Sequence, residues 1–118
     1  MTLYDDALAA AGRAYAPYSS YRVGAVVETR DGKRFEGVNV ENAAYPLGVC
    51  AEKSAIVAAV VAGYGPGDLV AIGINASPCG GCRQWLHEFR VERVSYRGND
   101  GEVRDATPAE LLPDGWEF

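Results

Sequence analysis

Three cysteines place the strongest constraint on how this chain can fold. Cys50-Ala51-Glu52 and Pro78-Cys79-Gly80-Gly81-Cys82 contain all 3 of them, and a carboxylate lies two residues from the first. If the thiolates hold one metal ion, the fold must bring two distant segments together. Three protein ligands leave the fourth position of a tetrahedral zinc open to water. A carboxylate beside an open position can move protons. That is the minimum equipment for a hydrolytic reaction.

A length of 118 residues suggests one domain over 1–118, and a 48% apolar content is ample for its core. The formal charge of −5, with Arg30, Lys33, Arg34, Arg90, Arg93 and Arg97 scattered, argues against a nucleic-acid partner. Phosphate neutralisation needs clustered cations. An uncharged small substrate fits better. No apolar run is long enough to span a membrane. Met1-Thr2-Leu3-Tyr4-Asp5-Asp6 is acidic and lacks the order of a signal peptide, so a cytoplasmic location is expected. An odd number of cysteines does not make a disulfide framework.

Residues 3–15 read as a helix whose inner face carries Tyr4, Leu8, Ala11 and Tyr15, with Pro17 ending it. Residues 21–29 and 34–40 read as a hairpin around Asp31-Gly32. Residues 50–62 read as a buried helix stopped by Gly63, Gly65, Pro66 and Gly67. A central strand at 69–75, a helix at 79–89, a strand at 91–96 and a weak edge strand at 102–104 follow. Thr107-Pro108-Ala109-Glu110 then starts a short last helix, with Thr107 as cap and Pro108 in first position. The order implies an α/β sandwich with a mixed sheet.

Each cysteine motif falls at a predicted helix start. Free N–H groups and a partial positive charge there favour the thiolate. Three thiolates on Zn²⁺ leave a charge of −1, so nearby cations must offset it. Lys53 and Arg83 are placed to donate hydrogen bonds to sulfur. An open position can bring the pKa of bound water to about 7, and Glu52, free of ligation, would take the proton. Three other readings compete. A redox pair would leave Cys50 without a role. A closed structural site needs a fourth ligand, and His87 is the only histidine, about 140° around the helix from Cys82. A zinc-stabilised binding module would likewise have its fourth position filled.

Cys-x-Glu followed by Pro-Cys-x-x-Cys resembles the three-cysteine form of the zinc-dependent deaminase signature. Pro17-Tyr18-Ser19, Val23-Gly24-Ala25, Asn39-Val40-Glu41-Asn42-Ala43, Ser77-Pro78, Cys82-Arg83-Gln84 and Glu110-Leu111-Leu112-Pro113 extend the likeness to the small, homotetrameric cytidine deaminases. The resemblance implies a three-layer α/β/α sandwich with a mixed five-stranded sheet. It implies one Zn²⁺ per subunit on Cys50, Cys79 and Cys82, with Glu52 as proton shuttle that also contacts ring N3. The substrate would be a small nucleoside, cytidine or deoxycytidine, hydrolysed to its uracil counterpart with release of ammonia in pyrimidine salvage. The Ala51 N–H would hold the pyrimidine O2, and the Ser77 carbonyl would accept from the 4-amino group. Asn39 and Glu41 would hold the ribose 3′-hydroxyl, and Tyr21 would pack on the base. Ala43, Tyr45 and Trp116 would reach a neighbouring subunit's site in a homotetramer with shared active sites, and Lys53, Arg83 and Gln84 would support the metal shell. For Asn39 a turn residue closing the hairpin is the competing reading; for Tyr21, Tyr45 and Trp116 it is core packing. Two departures stand out. Lys53 occupies a place where the family commonly has Arg, and the stretch from Asn75 to Pro78 is short. The ending Leu112-Pro113-Asp114-Gly115-Trp116 is reminiscent of a branch acting on blasticidin S, but the intact Asn39-Val40-Glu41-Asn42 favours a free ribonucleoside.

Overall fold

The computed structural model describes residues 2–118; Met1, the start of the acidic N-terminal segment, lies outside them. Helix α1 (Leu3–Ala10) continues as a 3-10 turn (Ala11–Arg13). Strands β1 (Gly24–Thr29) and β2 (Arg34–Val38) form the hairpin. After a 3-10 turn (Tyr45–Leu47) come α2 (Ala51–Val61), β3 (Leu69–Ile74), α3 (Gly80–Glu88), β4 (Arg93–Arg97), β5 (Val103–Ala106) and α4 (Pro108–Leu111). The sheet order is β2-β1-β3-β4-β5. Only β3–β4 is parallel, as the crossover through α3 requires; the other three pairings are antiparallel. The mixed five-stranded sheet flanked by helices is the architecture expected.

Side chains alternate across the sheet with a period of two. Ala25, Val27, Ile72, Ile74 and Val94 join Ala55, Ile56, Ala59 and Leu86 in one core, so α2 and α3 share a face. The opposite face receives α1. A Cβ on Gly24 would lie 2.2 Å from the Ala7 carbonyl oxygen, so helix and sheet backbones nearly touch. That spacing corrects the expected inner face of α1. Ala11 is buried as expected and Tyr4 half-buried, but Ala7, Ala10 and Ala14 fill the rest of the face while Leu8 and Tyr15 point to solvent. Helix α2 is also less enclosed than expected: Val57, Val60 and Val61 on its outer side are exposed.

Several boundaries are tighter than expected. β1 starts at Gly24 rather than residue 21, and Val40 forms only isolated bridges, with Tyr15 and with Val49. Residues 21–23 are held mainly by side chains, with one backbone bond from Asn39 N–H to the Val23 carbonyl. Val23 N–H donates to Asn39 Oδ1, and Asn75 Nδ2 donates to the Arg22 carbonyl. The edge strand lies one residue later and is longer than expected. Thr107 and Glu110 form the anticipated capping box of α4.

Gly37 on β2 fixes the approach of α2. A Cβ there would lie 2.2 Å from Ala55 N and 2.4 Å from the Ala51 carbonyl oxygen. Gly37→Ala is expected to destabilise the fold by about 1–3 kcal/mol or more, since backbone rather than a flexible side chain is in the way. Denaturant unfolding measures this. An unchanged midpoint would mean that α2 sits farther from the sheet than described.

Candidate metal and active site

Cys50 and Cys79 are the N-cap residues of α2 and α3, each in extended conformation and without a side-chain cap hydrogen bond. The first free N–H groups of both helices therefore open toward the cysteines. Cys82 lies one turn after Cys79 on the same helix face. The three Sγ atoms all lie within 4.8 Å of one another. Tetrahedral thiolates about 2.3 Å from zinc sit roughly 3.8 Å apart, so the trio fits that ion with little movement. Cys82 is buried, Cys50 half-buried and Cys79 exposed, which leaves one side of the cluster open. Among the described residues no His, Asp, Glu or further Cys joins the trio. His87 packs its ring against Gly115 and faces Glu117, Nε2 to Oε1 3.7 Å. The closed structural site therefore has no fourth protein ligand.

The thiols hydrogen-bond one another. The Cys82 thiol donates to the Cys50 sulfur, and this lowers Cys50 to about 6, helped by Cys79 and the Lys53 charge against the opposing effect of burial. The same bond, with burial and the nearby Glu52 carboxylate, pushes Cys82 up. A metal ion would displace these protons. Glu52, in the second position of α2, is only 4% exposed. Burial, reinforced by the Cys50 thiolate, raises its carboxyl above the ordinary range. A carboxyl tuned upward suits proton transfer near neutral pH.

Ala51 is the first residue of α2, and no hydrogen bond from its N–H occurs among the described residues. Lys53 is half-buried beside the cluster. Arg83 departs from its expected role. It donates to the Pro78 carbonyl, the Leu111 carbonyl and Ser77 Oγ, and no bond to a cysteine sulfur occurs among the described residues.

Asn39 and Glu41 lie together on the segment leaving β2. Asn39 Oδ1 accepts from Val23 N (2.8 Å) and Nδ2 donates to the Tyr21 carbonyl (2.9 Å), so it does close the hairpin. Glu41 Oε1 accepts from Tyr18 N and Ser19 N, and Oε2 accepts from the Ser19 hydroxyl. Ser19, ahead of the two backbone donors, holds this carboxyl below the usual carboxylate range. An amide has four hydrogen-bonding valences and a carboxylate about four acceptor sites. Asn39 thus retains one N–H and one acceptor site, and Glu41 about one acceptor site.

Sequence reading missed Ser19 as the partner of Glu41. Its only signal was its place in Pro17-Tyr18-Ser19. Tyr21 and Tyr45 are exposed, and Tyr45 meets the Tyr18 ring edge-on at 6.2 Å. An open cleft of about 360 Å³ is lined by Tyr18, Ser19, Glu41, Asn42, Tyr45 and Gly48, and Gly48 lies two positions before Cys50. Ala43 is exposed in the same segment. Trp116 lines a different hollow with Gln84, Trp85, Glu88 and Phe89, where Gln84 Nε2 donates to its carbonyl at 2.9 Å.

Residues 1–97 match the family described as cytidine and deoxycytidylate deaminase zinc-binding region. The cytidine deaminase of Halalkalibacterium halodurans is 40% identical over 94% of this chain and 89% of its own length. A crystal structure of cytidine deaminase from Burkholderia pseudomallei superposes with a TM-score of 0.90 at 43% identity, covering 98% of this chain and 100% of that one. The Mycobacterium tuberculosis enzyme gives 0.83 at 34% identity, over 98% and 94%.

Proposed function

Because the chain belongs to the cytidine and deoxycytidylate deaminase family, we propose that it hydrolyses cytidine and deoxycytidine to uridine and deoxyuridine, releasing ammonia. The observation that carries this reading is a three-cysteine cluster, open on one side, beside a buried carboxyl that is not a ligand. Zinc held by Cys50, Cys79 and Cys82 would supply a Lewis acid that acidifies water at neutral pH. Glu52 takes one proton from the attacking water as the C4–O bond forms and passes it to ring N3. It then takes the proton of the new hydroxyl and gives it to the 4-amino group, which leaves as ammonia when the C4–N bond breaks. The enclosure of Glu52 keeps those transfers away from bulk solvent. The N–H of Ala51 donates to O2 of the base, with the partial positive charge of the helix start behind it. The Ser77 carbonyl accepts from the amino group, and Tyr21 packs on the ring.

The sugar reading rests on hydrogen-bond arithmetic. Asn39 has one N–H left over and Glu41 about one acceptor site. A single hydroxyl, accepting from the first and donating to the second, satisfies both. The 3′-hydroxyl shared by cytidine and deoxycytidine meets that need. Three-quarters of Tyr45 is exposed, as are Leu47 and the outer valines of α2. Apolar surface of this kind supports a homotetramer in which Ala43, Tyr45 and Trp116 contribute to neighbouring sites. Lys53 supplies positive charge beside the thiolates, and residues 1–118 act as one catalytic domain. Among the described residues no helix is long and apolar enough to cross a membrane. Three reduced ligand cysteines suit a cytoplasmic setting.

A spectrophotometric panel of cytidine, deoxycytidine and blasticidin S, with metal analysis and light scattering on the same sample, tests the proposal. Ammonia release from both nucleosides at one zinc per chain is expected. A zinc-loaded sample that releases none would overturn it.

A further inference from the structure

Arg83 immediately follows the last ligand cysteine, and its planar fork joins two parts of the fold. Nε donates to the Pro78 carbonyl at 2.8 Å and Nη2 to Ser77 Oγ at 3.2 Å. Both partners directly precede the ligand Cys79. Nη1 donates to the Leu111 carbonyl at 3.0 Å, at the end of α4. The last carbonyls of a helix have no intrahelical partner, and a cation there is favoured. Helix α4 has only 4 residues, too few to be stable without docking. The segment after it is fastened to α3 by the Gln84–Trp116 hydrogen bond and by Gly115 against the His87 ring. This C-terminal part lies beyond the residues that match the family, 1–97.

We infer that Arg83 is a positioning residue that locks the 77–79 loop and the C-terminal helix into one unit, so that the hold on the metal and on the Ser77 carbonyl depends on how α4 is seated. A guanidinium can do this because it offers several donors in one plane; an ammonium is a single point charge on a flexible stem. The effect on turnover rests on the deaminase reading, whereas the effect on metal retention does not.

The test compares full-length zinc enzyme with Arg83→Lys and Arg83→Ala. Transfer of zinc to a colorimetric chelator, kcat and KM for cytidine, and amide hydrogen exchange are measured, with and without dilute guanidinium ion. In the alanine variant, zinc release should quicken and kcat/KM fall, each by about 10–100-fold. Exchange should rise together at the bonded amide of 83 and at those of 110–112. Guanidinium should restore part of the loss there and nothing in the parent enzyme. The lysine variant should remain impaired in both zinc release and kcat/KM, and it decides the matter if the alanine variant does not fold. Parent-like zinc release and kcat/KM in either variant would overturn the inference, as would faster exchange confined to one of the two segments. If the parent deaminates neither nucleoside, the deaminase reading fails, and zinc release still decides the role of Arg83.

Discussion

Glu52→Gln is expected to keep the fold and the zinc and to lose turnover by at least about 10²–10⁴-fold, the usual contribution of general acid–base catalysis. The substitution is nearly isosteric, and it replaces a group that is 4% exposed. Burial already disfavours the charged carboxylate, so a neutral amide costs little stability at this position. The metal cluster does not include Glu52, so metal content should stay at that of the parent. What disappears is the ability to accept a proton and give it back. Steady-state rates on cytidine, metal analysis and a thermal melt on one preparation separate these effects. Turnover within tenfold of the parent would remove Glu52 from the chemistry.

Cys82→Ala should have the second largest effect, and on a different property. Cys82 is fully buried and sits between core and cluster, so its loss leaves two ligands and a small void. Zinc should no longer copurify, and activity should fall to background. Metal binding is linked to folding because the assembled site exists only in the native chain. Stripping zinc from the parent with a chelator should therefore lower its thermal midpoint, and adding zinc back should restore it. The variant should start at the lower midpoint and ignore added zinc. A variant that still holds one zinc per chain would show that Cys82 is not a ligand.

The cluster was legible in the sequence because its logic is chemical and local. Cys-x-Glu and Pro-Cys-x-x-Cys each sit at a helix start, and the structure moves those starts by a single residue, making Cys50 and Cys79 caps. The hairpin and the last capping box were legible for the same reason. What escaped depends on distance along the chain. That Asn39 closes the hairpin was one of its two readings, but its partners Tyr21 and Val23 were not legible, nor was the bond from Ser19 to Glu41; no periodicity announces such pairs. The inner face of α1 escaped because Gly24 on another element sets how near the helix lies. Arg83 was read toward its sequence neighbour Cys82, while its partners include Leu111, far along the chain.

The antiparallel seam between β1 and β3, from Ala25 opposite Ile74 to Thr29 opposite Leu69, has a consequence in time. The hairpin with α2, and β3 with α3 and β4, are each assembled from neighbours in sequence. The seam joins these two halves, together with the core that α2 and α3 share, across a long loop whose closure is entropically slow. Cys50 belongs to the first half, and Cys79 and Cys82 to the second. As the chain is synthesised, Cys50 emerges as a lone thiol before its companions exist. Ion capture therefore belongs to the closing stage of folding, and it marks the moment at which the two halves become one body.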